Sequence, residues 1–248
     1  MGVLIFEGMK VGLLPGDLTI SLDEQGKPTS QFVLSTAYNV VPLWLLAAHD
    51  NLKSALMAQK RLKEDWSSGS EANQQRQLLI NELVPSMQTV IACGIALDGF
   101  YEILKPHAKL SAADIAKWKK NKTSRSAQIF ETLRRTVGTP KGKTRDVRKI
   151  IKQIIDLRDQ AVHPTNRLRH AVFRSDLSVA VDWKFAAFSA ENAKVCFTNT
   201  MQIFSLAYER RDRNPEIKSQ IENIIKSLEA LGVVTINDAQ QNAQADAG

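Results

Sequence analysis

The sequence is poor in several residue types that characterise whole classes of protein. Aromatic residues make up 6% of its 248 residues, and it contains 12 glycines and only two cysteines. Few aromatics and sparse glycine favour a helical chain over an all-β one. Cys93 and Cys196 each lie within an apolar helical pattern, so we interpret them as buried, reduced thiols of a cytoplasmic protein.

The motifs of the common enzyme classes and metal sites are also missing. The sequence has no Cys-x-x-Cys pair, no Gly-x-Ser-x-Gly, no His-Glu-x-x-His and no glycine-rich dinucleotide loop. We therefore expect no metal and no cofactor. Residues 138–144 differ from a P-loop because they are one residue too short and follow a helical pattern instead of a strand. We interpret this segment as a basic turn between helices.

Long hydrophobic segments are not evident either. The N-terminus lacks a basic stretch followed by a long apolar core, which argues against a secretory signal. No apolar run approaches the length of about 20 residues that spans a bilayer. We expect a cytoplasmic protein with no membrane partner.

The charge that is present has one dominant sign. The formal net charge is +7 and the isoelectric point is near 9.4. A basic surface is compatible with a polyanionic partner, RNA above all, although many basic proteins bind no nucleic acid.

The hydrophobic pattern changes along the chain and predicts three regions. Residues 1–36 form a β arm, because two alternating runs flank a turn-rich segment at 23–28, as in a hairpin. Such an arm is not stable alone and should pack on the helical body or on a second subunit. Residues 37–233 carry helical periodicity, apart from a short alternating run at 178–185 that is a candidate strand to pair with the hairpin. Residues 234–248 form a disordered tail.

The most informative stretch lies between residues 144 and 166. Apolar residues recur there every three or four positions, the pattern of a buried helical face. The predicted inward residues are Val147, Ile150, Ile151, Ile154, Ile155, Leu157 and Val162. Thr144 is a candidate N-cap, and Pro164 should end the helix at His163.

Three polar residues are gathered in the last turn of this helix. Asp159 and His163 are four residues apart and share a face, whereas Arg158 and His163 would point about 140° apart in an unbroken helix. A guanidinium beside an imidazole suits phosphate chemistry, since one binds phosphoryl oxygens and the other transfers protons near neutral pH. A structural role is the alternative, because such a cluster can also cap a helix and bridge to its neighbour.

The segment Leu157–Pro164 resembles the HEPN superfamily, helical proteins that include many prokaryotic ribonucleases and toxins. The family motif is Arg, four to six residues, then His, usually with Asn, Asp or His directly after the Arg; Arg158, Asp159 and His163 match its shortest form. The segment Ile91–Leu104 also resembles an earlier core helix of such domains. The resemblance implies a mainly α fold, an up-and-down helical bundle, here with a small N-terminal β-hairpin and one further short strand.

The resemblance also implies a function, a metal-independent endoribonuclease. The ribose 2′-hydroxyl would attack the adjacent phosphate, with His163 as general base or acid and Arg158 stabilising the charged phosphorus centre. Asp159 would orient the imidazole or hold the end of the helix. Family members usually form homodimers with a composite active site, so a homodimer is expected, whereas any antitoxin or defence partner is unknown.

Basic residues around the motif are candidates for binding the RNA. These substrate-binding candidates are Lys141, Lys143, Arg167, Arg169 and His170, and Arg174 could guide the RNA backbone in the same way. The alternative for the residues that follow the motif is that they are simply solvated. The alternative function is a non-catalytic HEPN-like helical module that binds RNA, a nucleotide or a protein partner.

Overall fold

The computed structural model describes residues 3–5, 9–67, 69, 71–163, 165 and 167–233. The protein is mainly helical, with 65% helix, which confirms the predicted mainly α fold class. The chain divides into two units, Met1–Val40 and Val41–Gly248. The predicted disordered tail at 234–248 and the predicted helix terminator Pro164 lie outside the described residues.

The first unit consists of two antiparallel strand pairs, β1 with β4 and β2 with β3. The strands are β1 (Met9–Gly12), β2 (Leu18–Leu22), β3 (Pro28–Phe32) and β4 (Ser35–Tyr38). The inner pair confirms the predicted hairpin, whose turn is held by the Asp23 carboxylate accepting hydrogen bonds from two backbone N–H groups. All residues of β2 and β3 are exposed, including the apolar positions of their alternating pattern.

The second unit is built from helices. Over the described residues these are α1 (Val41–Asp65), α2 (Ala72–Leu104), α3 (Ala112–Lys120), α4 (Arg125–Thr136), α5 (Thr144–Val162), α6 (Trp183–Ala187), α7 (Ala190–Glu209) and α8 (Pro215–Ala230). Short 3₁₀ turns follow α2 and α7. The helices begin where the sequence offers caps: Ser111 and Asp114 form a reciprocal capping box, and Ser189 accepts a hydrogen bond at the start of α7.

Helix α2 is the centre of this unit, since α1, α4, α5 and α7 all pack against it. Pro85 lies inside it without interrupting it. The segment Ala72–His107 is long and apolar enough, by length and composition, to cross a membrane, which corrects the expectation that no segment approaches that length. This helix is only a weak indication of a membrane span, because its inward residues, such as Leu97 and Phe100, belong to the main apolar core. Cys93 and Cys196 are free, buried thiols within this core.

Helix α5 shows which parts of the sequence pattern are reliable. Val147, Ile151, Ile154 and Ile155 are buried as predicted, whereas Val162 is 39% exposed, contrary to the prediction. The predicted N-cap is wrong by one position. The structure places Lys143 there, without a side-chain capping bond.

A short two-stranded sheet follows α5. Its strands, β5 (Val172–Arg174) and β6 (Val179–Val181), pair antiparallel with each other. The predicted strand at 178–185 is therefore present in part, but it pairs with β5 instead of the N-terminal hairpin. Its second half is helical and forms α6.

Candidate functional site

The C-terminal end of α5 carries the imidazole of the candidate site. The helix ends at Val162, and His163 leaves the helical conformation with φ −118° and ψ 68°. Its backbone N–H still donates to the Asp159 carbonyl at 2.9 Å, so the residue stays close to the helical path. The His163 side chain is exposed, and water or a ligand can therefore reach it.

Arg158 lies on the side of α5 that packs against α2. Its Nη2 donates a hydrogen bond to Asp98 Oδ2 at 2.8 Å, and the side chain is 19% exposed. The two helices approach closely here because α2 has a glycine at position 94. A Cβ at Gly94 would lie 2.6 Å from Cγ of Arg158 and 2.7 Å from its Cβ. The stem of Arg158 therefore occupies the space that a larger residue on α2 would fill.

Asp98 holds a second arginine as well, and it was not predicted from the sequence. Its Oδ1 accepts from Arg125 Nε at 2.7 Å, while Arg125 also donates to Glu102 at 3.0 Å and stacks on the Tyr101 ring. Burial alone would lower the pKa of Arg125, but its hydrogen bonds, the one to Asp98 first, outweigh burial and raise that pKa above its ordinary value. Asp98 is thus a carboxylate shared by two guanidinium groups.

Asp159 does not take the first of the two roles predicted for it, which was to orient the imidazole. Its Oδ1 lies 3.2 Å from Arg158 Nε, while no hydrogen bond joins its carboxylate to His163 within the described part of the chain. The Nε group is buried and has no hydrogen-bond acceptor among the described residues, so this contact is an ion pair without a well-aligned hydrogen bond. The carboxylate therefore helps to neutralise Arg158 and does not orient the imidazole.

The two principal groups of the motif face different sides of α5. Arg158 is directed towards α2, whereas Asp159 and His163 lie on the solvent side. This agrees with the separation of about 140° expected from the helical spacing. A single chain therefore exposes His163, whereas the Arg158 side chain is exposed only in part.

The predicted substrate-binding residues fall into two groups that the structure does not bring together. Arg167, Arg169 and His170 are exposed and follow the motif directly, with the Arg169 guanidinium 4.1 Å from the Trp183 ring. Lys141 and Lys143 are exposed too, but they precede α5. At 1.5 Å per residue, about 30 Å of helix separates them from His163.

Arg174 is a clear correction, because it cannot guide RNA. It is only 5% exposed, and all N–H groups of its guanidinium donate hydrogen bonds, to Glu82, Asp176 and the carbonyl of Phe185. Burial disfavours its charge, but the bonds to Asp176 and Glu82 outweigh burial and raise its pKa. Glu82 is 1% exposed and also accepts from the N–H of Ala190 at 2.9 Å, which fixes the start of α7.

A cleft of about 320 Å³ lies beside this buried cluster and away from the motif. Its lining includes Lys63, Phe173, Asp176 and Glu191, and so contains side chains of both charges. Because Arg174 already uses every donor, we assign no ligand to this cleft. Over the described residues, no group of three or more His, Cys, Asp or Glu side chains is placed to hold a metal ion.

Comparisons of the chain with protein-family models, with curated proteins and with solved structures find no match. The resemblance to HEPN proteins therefore remains a prediction that rests on Arg158, Asp159 and His163 and their place at the end of a helix. The geometry of these residues has to carry any functional proposal.

Proposed function

We propose that the protein is an endoribonuclease that cleaves RNA at the C-terminal end of α5. The observation that carries this proposal is the exposed imidazole of His163, which lies within two helical turns of a guanidinium held on the same helix. An exposed imidazole near neutral pH is suited to proton transfer, and a guanidinium is suited to binding a phosphodiester.

In the proposed reaction, His163 removes the proton from a ribose 2′-hydroxyl, whose oxygen then attacks the adjacent phosphorus. The bond from phosphorus to the 5′-oxygen breaks, which leaves a 2′,3′-cyclic phosphate on one fragment and a 5′-hydroxyl on the other. Arg158 stabilises the negative charge on the phosphoryl oxygens. Its guanidinium donates one hydrogen bond to Asp98 within the described residues, so other N–H groups remain for a phosphate.

A second acid–base group must protonate the departing 5′-oxygen, and one His163 cannot face both oxygens at once. A second copy of the chain would supply it. A dimer that places the partially exposed Arg158 of one copy against the exposed His163 of the other would also overcome their divergence on α5. We therefore include a homodimer with a composite site in the proposal.

The pairing of Arg158 with Asp98 favours a second candidate, a helical module that binds RNA or another partner without cleaving it. In that case Arg158 acts as a clamp between α5 and α2, and His163 caps the helix end. The clamp predicts a loss of stability when Arg158 is replaced, whereas catalysis predicts a loss of activity when His163 is replaced.

The decisive experiment measures cleavage of labelled single-stranded RNA by purified protein in EDTA. We expect His163→Ala to reduce the cleavage rate by about 10²–10⁴-fold, the usual loss on removing a general acid or base, without changing the melting temperature. His107→Ala is the matched control. That histidine pairs with Glu216 on the surface and has no role in the proposed reaction.

Complementation then tests the composite site. A mixed dimer of His163→Ala and Arg158→Met chains keeps one Arg158 facing one His163 but lacks the second imidazole. Mixing the two variants should therefore restore only the small part of the activity that a single acid–base group supports. The nuclease proposal is refuted if the wild-type protein cuts no RNA or if cleavage survives His163→Ala. The non-catalytic binding module would then be the remaining candidate.

A further inference from the structure

The solvent-facing side of α5 carries a row of cations. Arg145, Arg148, Lys149 and Lys152 follow the i, i+3, i+4, i+7 spacing of a single helical face, and all are exposed. We call these four residues the basic stripe. Lys152 pairs with Asp156, but over the described chain no ion pair joins the other three to an acidic side chain.

The same face of α5 leads to the candidate site. His163 follows Arg145 by 18 residues, about five full turns, so both lie on one side of the helix. Asp156 and Asp159 lie between them, and each is close to a cation, Lys152 and Arg158 respectively. An anionic chain lying along this face would therefore meet the basic stripe first and then two carboxylates that each have a cation beside them.

We infer that the basic stripe binds the phosphate backbone of single-stranded RNA and directs the strand along α5 towards His163. This inference rests on the proposed function and adds the path of its substrate. The stripe spans about 10 Å, and about 16 Å of helix separates its last residue from His163, lengths over which several phosphates fit. Lys141 and Lys143 precede the stripe and extend it away from the site, which accounts for their distance from the motif.

The composition of the stripe determines the mode of binding. Arginine and lysine side chains contact phosphates without reading bases, and the stripe contains no aromatic residue on which bases could stack. Binding should therefore be independent of sequence and strongly dependent on salt. An acidic protein surface is the alternative partner for the same charges, and the test below separates the two.

The test compares two triple variants that lose the same charge. One is Arg145→Ala/Arg148→Ala/Lys149→Ala. The control is Lys119→Ala/Lys194→Ala/Lys226→Ala, which removes three exposed cations spread over α3, α7 and α8. Both are made in the His163→Ala background, so that binding of a labelled oligouridylate is measured without cleavage over a range of salt concentrations.

We expect the stripe variant to bind more weakly, by at least about tenfold near 0.1 M salt. Its slope of log Kd against log salt should fall by about 2, since each phosphate contact on a single strand contributes about 0.7. The control should keep the parent slope. Equal slopes in all three proteins, or equal losses in both triple variants, would overturn the inference. Stripe-dependent binding of polyglutamate without binding of RNA would overturn it in favour of an acidic partner.

The outcomes for the stripe and for the nuclease are separable. If the protein binds RNA through the stripe but cleaves none, the inference about the stripe stands and the proposed nuclease activity is refuted. If cleavage requires His163 but the stripe variant keeps the parent Kd for RNA and the parent salt dependence, the nuclease proposal stands and the inference about the stripe is refuted.

Discussion

Two ionic clusters attach later parts of the chain to α2, and they are built differently. The closed cluster consists of Glu82, Arg174 and Asp176, with Arg174 5% and Glu82 1% exposed. The open cluster consists of Asp98, Arg158 and Asp159, whose side chains are 23%, 19% and 51% exposed. Both contain an arginine between two carboxylates, but only the closed cluster satisfies every donor of that arginine.

This difference separates a structural arginine from a candidate functional one. A buried guanidinium with all its donors used has no capacity left for a ligand, and replacing it leaves buried charges unpaired. The Arg158 guanidinium is partly exposed and donates one hydrogen bond, from Nη2, within the described residues, so it keeps N–H groups for a ligand even though its Nε is buried. Sequence position alone would not have separated them, since Arg158 and Arg174 lie only 16 residues apart.

The largest expected effect comes from breaking the closed cluster. Arg174→Met should lower the free energy of unfolding by about 3–5 kcal/mol, because Glu82 is then buried without its partner. Urea denaturation measures the loss. The matched variant in the open cluster, Arg158→Met, should lose less, because water reaches Asp159.

Replacing both buried partners is the control for this prediction. The double variant Glu82→Leu/Arg174→Met should recover part of the loss, since no unpaired charge remains in the interior. If Arg174→Met costs less than Arg158→Met, the distinction between closed and open clusters is wrong.

The second effect concerns the packing beneath the open cluster. Alanine is normally the better helix former, by about 1 kcal/mol over glycine. For Gly94→Ala we expect the opposite, a decrease of about 1–3 kcal/mol in the free energy of unfolding. The added Cβ would overlap the stem of Arg158. The overlap is with Cβ, which cannot move without shifting α5, and with Cγ, which moves only if Arg158 changes rotamer and gives up its hydrogen bond to Asp98.

Thermal or urea unfolding of Gly94→Ala checks this sign. In the Gly94→Ala/Arg158→Ala background the clash with Cγ is absent, so the penalty should shrink. A stabilising Gly94→Ala in the wild-type background would show that α5 is not pressed against α2 at this point.

The sequence predicted features set by residues close together in the chain, such as the hairpin and the end of α5, but not the ion pairs between residues far apart. The hairpin and the end of α5 at His163 follow from alternation, helical spacing and turn chemistry. The ion pairs were not predictable, because Glu82 and Arg174 are 92 residues apart and Asp98 and Arg158 are 60 apart. The available signal was a carboxylate within an apolar helical stripe. It indicates that a partner exists but does not identify it.

The smallest expected effect is a change in how the stability of the fold depends on pH. It concerns Asp176, the second carboxylate of the closed cluster. Hydrogen bonds from Arg174 lower the pKa of Asp176, against the opposing effect of burial. A carboxyl group whose pKa is lower in the folded state stabilises the fold above its unfolded pKa of about 3.9, and that contribution disappears as the pH falls through the lowered value.

Asp176→Asn removes this titration while keeping the size of the side chain. The variant should therefore be less stable than the wild type at neutral pH, and the difference should shrink as the pH is lowered below about 4. Urea midpoints measured across the acid range check this. A difference that stays constant with pH would mean that Asp176 contributes through packing alone, and the closed cluster would then depend on Glu82 for its electrostatic part.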